Sequence, residues 1–160
     1  MVPPVASLLD LSGLVAVVTG SSGNIGAGIA QRLEEAGASV VVHAQSDKAR
    51  LAPLLGERVA AVAGDVARDA RTICATAVES FGRLDIVVNN AGIQPVAALE
   101  AIGEDELAEM LRVNVQGVAA MTREGAAAMA GHGGAIVNIS SIEGLQPAFL
   151  HSHYAARRRP

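Results

Sequence analysis

The chain of 160 residues fits one domain with a sizeable core, and half of its residues are hydrophobic, mostly Ala, Val, Leu and Ile, with one Tyr, two Phe and no Trp. A net charge of −4 gives no electrostatic reason to expect nucleic acid or an anionic membrane as partner, and the lone Cys74 excludes an internal disulfide and a cysteine-based metal site. The N-terminus lacks the pattern of a signal peptide and no stretch reaches the ~18 uninterrupted apolar residues of a membrane span, so a cytoplasmic protein is expected.

Apolar runs alternate with helical patterns, which predicts β-α-β units and a parallel sheet. Residues 14–19 form the first buried strand. Residues 24–37 form a helix with Ile25, Ile29 and Leu33 on one face and Gly37 as its stop. A second strand over 39–43 leads into a short helix, 47–55, interrupted by Pro53. A third strand over 58–63 is followed by a helix over 69–81 that Gly82 ends, with Cys74 expected as a buried core thiol. The fourth strand covers 84–89. A long helix over 104–129 carries Gly117 and Gly125, and a fifth strand covers 135–139. Right-handed crossovers arrange these strands in the order 3-2-1-4-5, a doubly wound Rossmann-like α/β sheet in a single domain, 1–160.

The first strand runs into Thr19-Gly20-Ser21-Ser22-Gly23-Asn24-Ile25-Gly26. Glycines there let the backbone turn tightly and approach a pyrophosphate, which then sits against the positive end of a helix. The same turn could serve structure alone, but its place after the first strand favours a binding role. Three more segments stand out: Gly64-Asp65-Val66 after the third strand, Asn89-Asn90-Ala91-Gly92 ending the fourth, and Asn114 inside the long helix. Asn is disfavoured inside helices because its side chain competes for the backbone, so a bridging or functional role is expected. Near the end lie Ser141, after the fifth strand, and Tyr154, opening the next helix.

Taken in order, these segments resemble the short-chain dehydrogenase/reductase family from about Leu8 to Tyr154. The resemblance implies an NAD(P)(H)-dependent oxidoreductase that reduces a carbonyl or oxidises an alcohol on a small molecule. It implies that Gly20, Ser22, Gly23, Asn24, Ile25 and Gly26 hold the pyrophosphate, with Asn24 where relatives carry a middle glycine. Asp65 and Val66 would face the adenine, although Asp65 could be an ordinary turn residue, and Asn90, Ala91 and Gly92 would face the adenosine. Ser141 and Tyr154 would bind the carbonyl, with Tyr154 as acid or base and Asn114 joining a water relay. Where the family places a Lys, four residues after Tyr154, this chain has Arg158, a planar group not interchangeable with an ammonium.

The second strand exits through His43-Ala44-Gln45-Ser46, and position 44 lacks the carboxylate that would recognise a ribose 2′-hydroxyl. That absence favours NADP(H) over NAD(H), with Gln45, Ser46 or Lys48 as phosphate contacts and His43 as a strand-end residue. The family's later strands have no counterpart in the sequence, which predicts a C-terminally truncated member, weakly active or inactive, or a non-catalytic dinucleotide-binding remnant or interaction module. The 104–129 helix is a candidate surface for homo-oligomers, and no metal site is expected.

Overall fold

The computed structural model describes Pro4 and residues 8–156. Five strands form one parallel sheet: β1 (Val15–Val18), β2 (Ser39–Ala44), β3 (Val59–Ala63), β4 (Ile86–Asn89) and β5 (Ala135–Asn138). Their order is β3-β2-β1-β4-β5, as the alternation of apolar runs predicts. β1 is buried along its whole length because both of its edges are paired and both of its faces are covered. Val17 aligns with Val41 on one side and Val87 on the other, which fixes the central register.

Successive strand residues point to opposite faces, so the sheet divides the interior into two cores. On one face Val15, Val17, Val41 and Val87 meet Ile73 and Cys74 of α2 (Ala70–Phe81) and Met121 of α4 (Val118–Ala128). On the other, Val18, Val40 and Val42 meet Ala30 of α1 (Asn24–Glu35) and Leu51 of a 3-10 turn over Lys48–Leu54. Each fully buried Val contributes about 1.5–3 kcal/mol of transfer free energy. β5 is one of the two edge strands, and three of its four residues are exposed.

Two sequence expectations need revision. Ile25 does not share the buried face of Ile29 and Leu33; it is 67% exposed. It sits in the first turn of α1 outside the core cluster, against which Ile29 and Leu33 pack. The 104–129 helix is also not uniform: α3 (Glu104–Leu111) passes through a π-helical segment, Arg112–Gly117, into α4. Asn114 lies inside that segment, where its side chain bonds another loop. Among the described residues no helix is long and apolar enough to cross a membrane.

Candidate functional site

At the carboxyl ends of β1, β2, β3 and β4, on both sides of the point where the strand order reverses, lies a cavity of about 560 Å³. Open α/β sheets bind ligands at such a position. Four segments far apart in sequence line it, and three of them are the loops that the sequence singles out. The first is the turn after β1, which contributes Gly20, Ser22, Gly23, Ile25 and Gly26. The second contributes Asp65 and Val66, and the third Asn90, Ala91 and Gly92.

The turn is held by close backbone packing and by hydrogen bonds to the neighbouring loops. Gly20 is left-handed at φ +68°. A Cβ there would stand 2.9 Å from the Ala91 Cα, and one on Gly26 would overlap the Gly20 carbonyl oxygen and stand 2.6 Å from Asn90 Nδ2. Asn90 ties the two loops together, since its Nδ2 donates to the Thr19 carbonyl at 3.0 Å and its amide donates to Thr19 Oγ1 at 3.0 Å. Gly23 caps α1 without a side chain, and the first turn of α1 carries no acidic residue. Its first-turn amides thus receive no side-chain cap from Gly23, and the helix dipole adds positive potential at that end. This combination suits an anionic group such as a pyrophosphate.

His43, expected from the sequence as a strand-end residue, is also a residue of the site. It is buried, lines the cavity and joins three strand ends. Its Nδ1 accepts from the Gly20 amide at 3.1 Å, and its Nε2 bonds the Gly64 carbonyl at 2.8 Å. Burial, opposed by the Gly64 hydrogen bond and the charges of Asp65 and Asp69, holds its imidazole below the ordinary value. Beyond the end of β2, the lining includes Gln45, Ser46, Asp47 and Arg50; Lys48 is not part of it.

Asp65 is both a turn residue and a wall of the cavity. Its Oδ1 accepts from the amides of Ala67 and Arg68, and its Oδ2 pairs with Arg112 of the π-helical segment. Burial pushes its carboxyl up, but the Arg112 guanidinium and the two amides outweigh burial and hold it below the usual range. Arg112 also pairs with Glu109 at 2.6 Å, so the long helix is pinned to this loop.

Asn114 sits behind the cavity wall. Its Oδ1 accepts from the Ile93 amide at 2.9 Å, and its Nδ2 donates to the Ile93 carbonyl at 2.7 Å. Ile93 lines the cavity, so Asn114 holds the third loop in place. Gly92 is required there, because a Cβ would stand 2.9 Å from Asn114 Oδ1.

Neither Ser141 nor Tyr154 lines the cavity. Ser141 caps a 3-10 turn, Ile142–Gly144, by accepting from the Glu143 amide. Tyr154 is buried in a short helix, α5 (Ser152–Ala156), which packs against that turn. The segments bearing the two hydroxyls are therefore neighbours. A polar clasp lies beside them: Gln94 Nε2 donates to Glu143 Oε1 at 2.6 Å, and His151 Nδ1 stands 2.9 Å from Glu143 Oε2. Arg158 lies outside the described residues.

A doubly wound parallel sheet with a glycine turn and helix N-terminus at its switch point defines a dinucleotide-type α/β fold. A family model described as short chain dehydrogenase matches residues 14–158, and the chain belongs to that family. It is 43% identical to an uncharacterized oxidoreductase of Methylorubrum extorquens, over 82% of this chain and 56% of that protein. It is 38% identical to an L-rhamnose 1-dehydrogenase (NAD(P)(+)) of a Sphingomonas strain, over 90% of this chain and 61% of that one. Among solved structures it resembles a 3-ketoacyl-(acyl-carrier-protein) reductase of Brucella melitensis complexed with NADH. That match has a TM-score of 0.86 at 32% identity and covers 93% of this chain and 66% of that one. The chain thus spans about three fifths of the length of these relatives.

Proposed function

We propose that this protein binds NAD(P)(H) in the cavity at the strand ends and serves carbonyl reduction or alcohol oxidation on a small molecule. The observation that carries this reading is the convergence of three separately recognised loops on one cavity, beneath an uncapped helix N-terminus. Gly20, Ser22, Gly23, Asn24, Ile25 and Gly26 hold the pyrophosphate. Asp65 and Val66 flank the adenine, and Asn90, Ala91 and Gly92 face the adenosine. At the end of β2, Ala44 offers no carboxylate to a ribose 2′-hydroxyl, while Gln45, Ser46 and Arg50 offer donors to a 2′-phosphate. NADP(H) is therefore the preferred cofactor.

A nicotinamide held there would supply or accept the hydride. Ser141 and Tyr154 hold the substrate oxygen, and Tyr154 gives up its proton in reduction and takes one back in oxidation. A tyrosine hydroxyl ionises near pH ~10, so a cation beside it is needed to bring the phenolate into reach. Arg158 is the candidate for that charge. Asn114 fixes Ile93 and joins a water relay for the proton. We place the protein in the cytoplasm, as a homo-oligomer packed through the α3–α4 helix, with no nucleic acid, membrane or metal partner.

The test is titration of the purified protein with NADPH and NADH, followed by turnover measurements over a panel of ketones and secondary alcohols. Saturable dinucleotide binding with turnover that Tyr154→Phe removes supports the whole reading. Binding without turnover restricts it to the dinucleotide half, and absence of binding to either nucleotide overturns it.

A further inference from the structure

We propose that His43 is a positioning residue that holds the glycine turn in its binding shape only while its imidazole is neutral, so that acidification releases the turn. This goes beyond the proposed dinucleotide site but rests on it for its functional consequence.

The bonding pattern fixes the form of the ring. The Gly20 amide can only donate, and it points at Nδ1 at 3.1 Å. The Gly64 carbonyl can only accept, and it lies 2.8 Å from Nε2. The neutral ring with its proton on Nε2 satisfies both contacts, and the imidazolium cannot, because both of its nitrogens donate. Protonation would set two donors against each other at Gly20, the residue that starts the turn.

The rest of His43 makes the loss matter. Its carbonyl accepts from the Ser21 amide at 2.9 Å, and its own amide donates to Ser21 Oγ at 3.2 Å. The Gly64 amide in turn donates to the Ala44 carbonyl at 3.1 Å. The turn after β1 and the loop after β3 are thus both referenced to this one side chain, and both line the cavity. Asp65 and Asp69 act on the ring with charges that favour its protonation, and burial opposes them. Asp47 and Arg50 share the cavity wall, and Arg112 offsets Asp65. Burial thus holds the His43 imidazole below its ordinary value of 6.5.

The experiment measures NADP+ affinity at about pH 8 and at a lower pH at which the His43 ring, followed by its own 15N shift, is protonated, for the wild type, His43→Asn and His43→Leu. Asn keeps an acceptor near the Nδ1 position but cannot ionise, and Leu removes both bonds. Wild type should bind about tenfold more weakly at the lower pH, the scale of one buried hydrogen bond turned into a clash. His43→Asn should show a smaller pH response, the residue of which belongs to the 2′-phosphate's own titration. His43→Leu should bind weakly at both values. An equal pH response in wild type and His43→Asn would overturn the proposal.

A second readout needs no ligand. In 15N spectra of the free protein, the His43 ring should carry its proton on Nε2, and the Gly20 amide shift should follow the His43 titration. A ring protonated on Nδ1, or a Gly20 amide indifferent to it, would also overturn the proposal. If no dinucleotide binds at any pH, the functional reading fails while this readout still decides the fate of the His43 hinge.

Discussion

Gly26 and Gly28 lie two residues apart in α1, and alanine should act on them in opposite directions. Both substitutions gain helix propensity, about 0.8–1 kcal/mol for Gly to Ala in a helix interior. At Gly28 the new methyl meets nothing within 4 Å, so that gain should appear in full. At Gly26 the methyl would overlap the Gly20 carbonyl and stand 2.6 Å from Asn90 Nδ2, the atom that bonds the Thr19 carbonyl. Both are fixed elements of the site, so relief requires the turn and the Asn90 loop to separate. Overpacking of this kind costs roughly 1–3 kcal/mol, and losing the Asn90 bond adds about 1 kcal/mol. After the propensity gain, Gly26→Ala should be destabilised by about 1–3 kcal/mol and should lose dinucleotide affinity. In a chain of this size, 1 kcal/mol moves Tm by about 2–4 °C, so the two variants should fall on opposite sides of wild type by a resolvable margin. Thermal and urea unfolding measure the first effect and nucleotide titration the second. Equal Tm values for the two variants, or full nucleotide affinity in Gly26→Ala, would refute the packing argument.

Asn114→Ala should cost about 1–3 kcal/mol, because it strands the Ile93 amide and carbonyl, and it should weaken nucleotide binding through the loosened loop; urea unfolding within about 0.5 kcal/mol of wild type would contradict this. Burial pushes the Cys74 thiol up to about 11, so it should resist a thiol reagent near neutral pH until the protein unfolds; rapid labelling of the folded protein would show that the thiol is not in the core. Asp85 is raised by burial but lowered further by the Arg83 guanidinium, the Val15 amide and His132, so its folded value lies below the ordinary 3.8. Its contribution to stability is therefore complete above that value and is lost as pH falls through the lowered one. Asp85→Asn should flatten that acid limb in a Tm-against-pH series, and an unchanged limb would assign acid sensitivity elsewhere.

The sheet was legible because its strands announce themselves. Val15–Val18 and Val40–Val42 are unbroken apolar runs, as strands buried on both faces must be, and turn residues bound them. The loops were legible for a related reason: a glycine run after a strand and an Asn inside a helix are locally unfavourable, and unfavourable choices point to a site. Side-chain pairing across long separations was not legible. Nothing near Asp65 in sequence announces Arg112, and nothing near His43 announces Gly20 or Gly64. The exposure of Ile25 was missed because helical periodicity gives a face but not how far along the helix that face meets the core. Arg50 escaped notice because the 3-10 turn of Lys48–Leu54, not sequence adjacency to Ala44, sets which side chain reaches the cavity.

The claim on which the account rests is that the cavity at the strand ends is a dinucleotide site, and an NADPH titration followed amide by amide in 15N-1H spectra tests it most directly. Saturable shifts should concentrate at Gly20–Gly26, Asp65–Val66, Asn90–Ile93 and the segment after β2 that includes Gln45, Ser46 and Arg50, leaving α2 and β5 unchanged. No saturable shift, or shifts confined to residues outside those four segments, would contradict it.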